Sequence, residues 1–154
     1  MSTPLIAITA GDPCGIGPEV ILKAVRPAAR RGGARLVVIG TLAVFELTAR
    51  RLGLSVPAWQ VLPPRRPDFT PPLMFLECPM TGPFPPGEAS RRSGAASVAY
   101  LDRAVSLWRA GVLDGLVTAP VTKWAAGLVR RGFHGQTEYL AKAMRTQDVA
   151  MMFA

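Results

Sequence analysis

Short apolar runs alternate with longer stretches of helical period along almost the whole chain. PLIAITA at 4–10 and RLVVIG at 35–40 are near-continuous apolar runs of strand length, the pattern of strands covered on both faces. Between them PEVILKAVRPAARR (18–31) opens on a proline, which suits a first helical turn, and the spacing predicts a helix. TLAVFELTARRLG (41–53) predicts a second helix, closed by a glycine. WQVL (59–62) reads as a short strand and LMFLEC (73–78) as a longer one. The five prolines of PPRRPDFTPP (63–72) remove donors and fix the backbone, so this stretch is a loop, as is PMTGPFPPGEAS. From Ser93 to Ala110 the helical period is clear: Val98, Leu101, Val105 and Trp108 share one face, with Ala104 and Leu107 beside it. LDGLVTA (113–119) predicts another strand, followed by a helix from Lys123 to Arg131. A further helix is expected over QTEYLAKAM (136–144), and an apolar strand over VAMMFA (149–154).

Strands alternating with helices imply an α/β fold, a largely parallel sheet flanked by helices with right-handed crossovers. No internal repeat is evident, and the proline-rich loop does not divide the chain into domains. A buried strand as the last element needs its edge and faces covered. The expectation is that an earlier strand lies beside it or that the sequence continues.

At 154 residues, 49% apolar and 18% charged, the chain is large enough for one substantial core and too apolar for disorder. It has no apolar run of transmembrane length, and MSTPLIAITAGDP lacks the basic region of a signal peptide. Cys14 and Cys78 fit no disulfide framework or zinc spacing, so a reduced, cytoplasmic protein is the simplest reading. The formal charge of +8 raises the question of an anionic partner. The arginine pairs, however, are scattered at 30–31, 50–51, 65–66, 91–92 and 130–131. Aromatic residues are not interleaved with them, which argues against a nucleic-acid platform.

Three stretches could carry chemistry. TAGDPCGIGPEV (9–20) sits at a strand-to-helix junction, where ligands of α/β sheets collect. Gly11, Gly15 and Gly17 permit close backbone approach, and the helix start offers unpaired N–H groups. The stretch has neither P-loop nor dinucleotide spacing. In the alternative reading it is a glycine-rich turn that Asp12 holds by side-chain bonds to the backbone. TAPVTK (118–123) leaves another strand, with Lys123 on a first helical turn where the dipole disfavours a cation. An anionic partner would account for it; so would solvent, or pairing with Asp12 or Glu138. GFHGQTEY (132–139) holds the single histidine, His134. Thr137 could cap the following helix and Glu138 suits its positive end, while Gln136 could bond a substrate hydroxyl or carboxylate. With one histidine the chain offers no histidine metal triad, and no nucleophile–base triad is evident.

Taken in order, TAGDPCGIGPEV, GEASRRSGAASVAYLDRAV, GLVTAPVTKWAAGL and GFHGQTEYLAKAM through VAMMFA resemble the N-terminal half of the 4-hydroxythreonine-4-phosphate dehydrogenase family of vitamin B6 biosynthesis. The resemblance runs along essentially the whole chain. It implies an isocitrate/isopropylmalate dehydrogenase-like fold of two α/β domains, homodimeric, with the active site between domains and subunits. Residues 1–154 would be the N-terminal part, the C-terminal half being absent. The implied chemistry is oxidation by NAD, with decarboxylation, of 4-phosphonooxy-threonine or a related small 4-phosphorylated hydroxy acid. A divalent metal (Zn, Mg or Co) would act as the Lewis acid. By the same resemblance Gln136 and Thr137 are substrate-binding, with Asp12, Gly15, Gly17 and Lys123 as candidates for an active-site loop.

Two departures accompany the match. The position aligned with Gln136 is usually a histidine in the vitamin B6 enzyme, and glutamine can neither carry charge nor transfer a proton there. Family members are also roughly twice as long, and the resemblance places their three metal-binding histidines, with further substrate-site residues, after the end of this chain. No metal ligand is therefore assigned here, and the chain alone is expected to be inactive. A truncated frame, a split-gene half needing its missing C-terminal partner and a remnant all fit this pattern. The reading from another class is a non-catalytic interaction module of the same fold, with a basic nucleic-acid binder behind it.

Overall fold

The computed structural model describes residues 3–63 and 67–146. Five strands, β1 (Leu5–Thr9), β2 (Arg35–Gly40), β3 (Gln60–Leu62), β4 (Leu73–Glu77) and β5 (Gly115–Thr118), pair in the order β3-β4-β2-β1-β5. Every pairing is parallel, with Ala7 opposite both Val37 and Leu116. The helices are α1 (Gly17–Arg31), α2 (Leu42–Leu52), α3 (Arg91–Arg109), α4 (Lys123–Gly127) and α5 (Gln136–Met144). The fold class expected from the alternation is thus the one observed. The predicted strand at 149–154 lies outside the described residues.

The central strands are apolar throughout because they are covered on both sides. Val37, Val38, Ile39, Met74, Phe75 and Leu76 are all fully buried. Phe45 stands edge-to-face on Phe75 at a centroid distance of 5.3 Å and Trp59 lies tilted against it at 4.8 Å, adding aromatic contact to the burial. The crossovers β1-α1-β2 and β2-α2-β3 run in one direction across the sheet, whereas β4-α3-β5 returns over β2 and β1. With right-handed crossovers this puts α3 on the face opposite α1 and α2. The direction of winding therefore reverses between β1 and β5. In open α/β sheets the crevice beyond the carboxyl ends of such a strand pair is where ligands bind.

Two elements differ from expectation. α3 begins at Arg91, not Ser93, because Ser90 forms a reciprocal capping box with Ser93 at 3.2 and 2.9 Å. Its buried face is also rotated. Ala96, Tyr100, Ala104 and Leu107 meet the sheet, Val98 and Leu101 meet a second small cluster with Ala126 and Phe133, and Trp108 is 38% exposed. Tyr100 is drawn inward by a 2.7 Å hydrogen bond with the Thr41 hydroxyl. The helix expected from Lys123 to Arg131 ends at Gly127 and gives way to turns.

Candidate functional site

The turn after β1 and the turn after β5 leave adjacent strands at the same end of the sheet and are bonded to one another. The Asp12 N–H donates to the Pro120 carbonyl at 2.9 Å. Their approach is close enough to exclude side chains: a Cβ on Gly11, whose φ is +71°, would lie 2.3 Å from the Pro120 oxygen. A Cβ on Gly17 would lie 2.3 Å from the Ala10 oxygen. Asp12 is 2% exposed, and its Oδ1 accepts the Cys14 N–H at 2.9 Å. This is the turn-holding role open to it from the sequence. Burial, and next the Asp12 carboxylate, push the Cys14 thiol up, so Cys14 is no reactive thiolate. Gly15 is exposed beside this turn.

Lys123, Gln136 and Thr137 come together. With Thr118, Pro120 and Glu138 they line a cleft of about 360 Å³ at the carboxyl end of β5. Asp12, Gly15 and Gly17 are not part of its wall; Asp12 reaches it indirectly, by fixing Pro120. Gln136 is anchored, its Nε2 donating to the Ala119 carbonyl at 2.9 Å. With the amide nitrogen committed, Oε1 remains to accept from a ligand. Thr137 is half-buried and does not cap α5; the cap position is Gly135, which has no side-chain bond. Lys123 is exposed and in no ion pair among the described residues, with the Glu138 carboxylate lining the same cleft.

A second network fixes this wall from behind. None of the α5 residues is buried, so side-chain bonds hold the helix to α3. The Tyr139 hydroxyl donates to Asp102 Oδ1, Arg130 Nη2 donates to Asp102 Oδ2 at 2.6 Å, and the Arg130 guanidinium lies 5.3 Å from the Tyr139 ring centroid. Arg109 caps the far end of α5 by donating to the Ala143 carbonyl at 2.7 and 3.2 Å. Burial and the Asp102 carboxylate push the Tyr139 hydroxyl up to about 12. Sequence reading missed this set, whose members are far apart in the chain and on separate elements. His134 lies not in the Gln136 cleft but in the neighbouring one, among the residues behind it.

The family model described as "Pyridoxal phosphate biosynthetic protein PdxA" matches residues 33–154. The chain belongs to the PdxA family. A 4-hydroxythreonine-4-phosphate dehydrogenase of Synechocystis is 36% identical over 99% of this chain, and a D-threonate 4-phosphate dehydrogenase of Cupriavidus necator is 35% identical over 97%. Among solved structures, a putative 4-hydroxythreonine-4-phosphate dehydrogenase from Salmonella typhimurium superposes with a TM-score of 0.78 at 32% identity over 95% of the chain. The chain spans less than half of these relatives, 43% of the first and 46% of the solved one.

Among the described residues no three or more His, Cys, Asp or Glu side chains gather where a metal ion could sit, and no turn has dinucleotide spacing. The described residues thus offer no ready-made metal site. No described helix is long and apolar enough to cross a membrane.

Proposed function

We propose that this chain forms one wall of the substrate site of a PdxA-family dehydrogenase whose substrate is a small phosphorylated hydroxy acid. The observation that carries the proposal is the convergence of Lys123, Gln136 and Thr137 on one cleft at the winding reversal of the sheet. The relatives' activities, on 4-hydroxythreonine 4-phosphate and D-threonate 4-phosphate, supply the substrate class.

The chemistry of the wall is binding and orientation. The Lys123 ammonium, in no ion pair among the described residues, attracts a carboxylate or phosphate. Gln136 presents an acceptor to a substrate hydroxyl, and the Thr137 hydroxyl donates or accepts as the ligand requires. Gln136 is uncharged and does not titrate, so it orients the substrate and does not remove its alcohol proton. In a family dehydrogenase a nicotinamide cofactor would take the hydride and a divalent metal would supply Lewis-acid chemistry. No metal-ligand cluster gathers among the described residues, so the chain on its own is expected to bind without turnover.

Chemical-shift mapping by NMR with 4-phosphonooxy-threonine tests this. Saturable shifts at 118–123 and 135–138, weakened several-fold by Lys123→Ala, are expected. Shifts confined to other surfaces, or indifferent to Lys123, would refute it.

A further inference from the structure

A cleft larger than the one around Gln136 adjoins it. It lies behind that wall, between α3 and α5, with a volume of about 830 Å³. Arg109, Arg130, Arg131 and Lys142 line it, against the carboxylates of Asp102 and Glu138. Asp102 is already committed, whereas Glu138 is in no ion pair among the described residues, so the four cations of the wall outnumber its two carboxylates. Asp102 accepts from Tyr139 on one oxygen and from Arg130 on the other. Glu138 lies against the first turn of α5, its Oε2 2.7 Å from where a Gly135 Cβ would stand, an end of the helix that favours negative charge.

Three of the cations are in no ion pair among the described residues. Arg131 and Lys142 have no partner among the described residues, and Arg109 spends Nε and Nη2 on the Ala143 carbonyl, leaving Nη1. The bond to Ala143 holds the Arg109 guanidinium at the cleft, so part of the ordering cost of binding is already met. A wall with excess positive charge and fixed guanidinium donors suits a group with several acceptor oxygens and more than one negative charge.

We infer that the α3–α5 cleft is an anion site for a phosphate group, separate from the Lys123–Gln136–Thr137 wall. Phosphate rather than carboxylate is the better match, because three spread donors exceed what one planar, singly charged carboxylate can engage. The inference does not depend on the proposed dehydrogenase role, since Lys123 takes no part in it.

The test is calorimetric titration of the chain at low ionic strength with inorganic phosphate, and separately with pyrophosphate and O-phosphoserine. Saturable one-to-one binding of phosphate is expected. Tighter binding of pyrophosphate or of O-phosphoserine would then identify a diphosphate or a monoester as the source. Arg131→Ser with Lys142→Ser should weaken binding roughly tenfold, as removal of two exposed charge contacts does. Arg109→Lys should weaken it too, because one ammonium cannot both cap Ala143 and reach the ligand as a guanidinium does. Lys123→Ala and the distant pair Arg30→Ser with Arg31→Ser should leave it unchanged. Non-saturating binding, or equal weakening by the distant pair, would mean general attraction to a basic protein and overturn the inference. Loss on Lys123→Ala alone would overturn it in favour of the Gln136 cleft.

Discussion

Replacing Gly94 by alanine should destabilise the protein, although the same exchange inside an ordinary helix stabilises it. Gly94 lies in the first turns of α3, where α4 crosses against the backbone. A Cβ there would stand 2.0 Å from the Ala125 oxygen, 2.3 Å from its carbonyl carbon and 2.8 Å from the Ala126 nitrogen. Unstrained contact needs about 3.5 Å, so α4 must retreat by roughly 1.5 Å. Ala125 and Ala126 are fully buried, and the obstacle is backbone, so no side-chain rotation relieves it. Overpacking of this kind costs about 1–3 kcal/mol, and the rigid neighbour puts Gly94 at the upper end. Helix propensity returns about 1 kcal/mol. The expected net loss is about 2 kcal/mol, read as a lower urea midpoint with unchanged slope. Gly127→Ala is the control, since nothing lies within 4 Å of its added Cβ, and it should be neutral or mildly stabilising. A Gly94→Ala protein as stable as the parent would refute the close α3–α4 crossing, and with it the placement of Lys123.

Arg145 is the one described non-glycine residue with positive φ, at +56°, and it closes α5 with paired bonds from Arg145 and Thr146 back to Lys142 and Ala141. Glycine suits that position, so Arg145→Gly should raise stability by up to about 1 kcal/mol in urea unfolding; a loss would contradict the assigned cap. Gly11→Ala should cost more than 1 kcal/mol, since strain at positive φ adds to collision with Pro120; a fall in thermal midpoint checks it. Both tyrosines are pushed above their ordinary value, Tyr100 by burial and Tyr139 to about 12 by burial and Asp102. The fold therefore favours their neutral forms, a contribution complete below about pH 10 and lost as pH rises through about 12. Ultraviolet titration of the folded chain should show no tyrosinate forming near pH 10, and Asp102→Asn should bring the first ionisation down.

Much of this was legible from residue order. β1, β2 and β4 declared themselves because strands covered on both faces are apolar at every position, and α1 and α2 because their ends carry proline and glycine signals. α3 was read two residues late at its start and rotated on its axis. Its Ser90–Ser93 box lacks the acidic third residue that marks such caps, and its small residues Ser93, Gly94 and Ser97 face backbone that no sequence period reveals. The resemblance pointed to Gln136 and Thr137, and an ill-suited place at a helix start pointed to Lys123; the three line one cleft. Asp12 was drawn to the right crevice, yet it fixes the turn instead of lining the cleft. The Asp102–Arg130–Tyr139 set was invisible, because its members meet only when α3 and α5 pack.

The central claim is that Lys123, Gln136 and Thr137 form one wall of a dehydrogenase substrate site. The most direct measurement joins this chain in cis to the remaining portion of the Synechocystis relative and follows reduced cofactor with NAD, a divalent metal and 4-phosphonooxy-threonine. The account predicts no turnover by residues 1–154 alone and turnover by the joined protein. Lys123→Ala or Thr137→Ala should lower that rate by roughly a hundredfold, as loss of a preorganised polar contact does. Turnover by the chain alone, free of contaminating enzyme, or a joined protein indifferent to both substitutions, would contradict it.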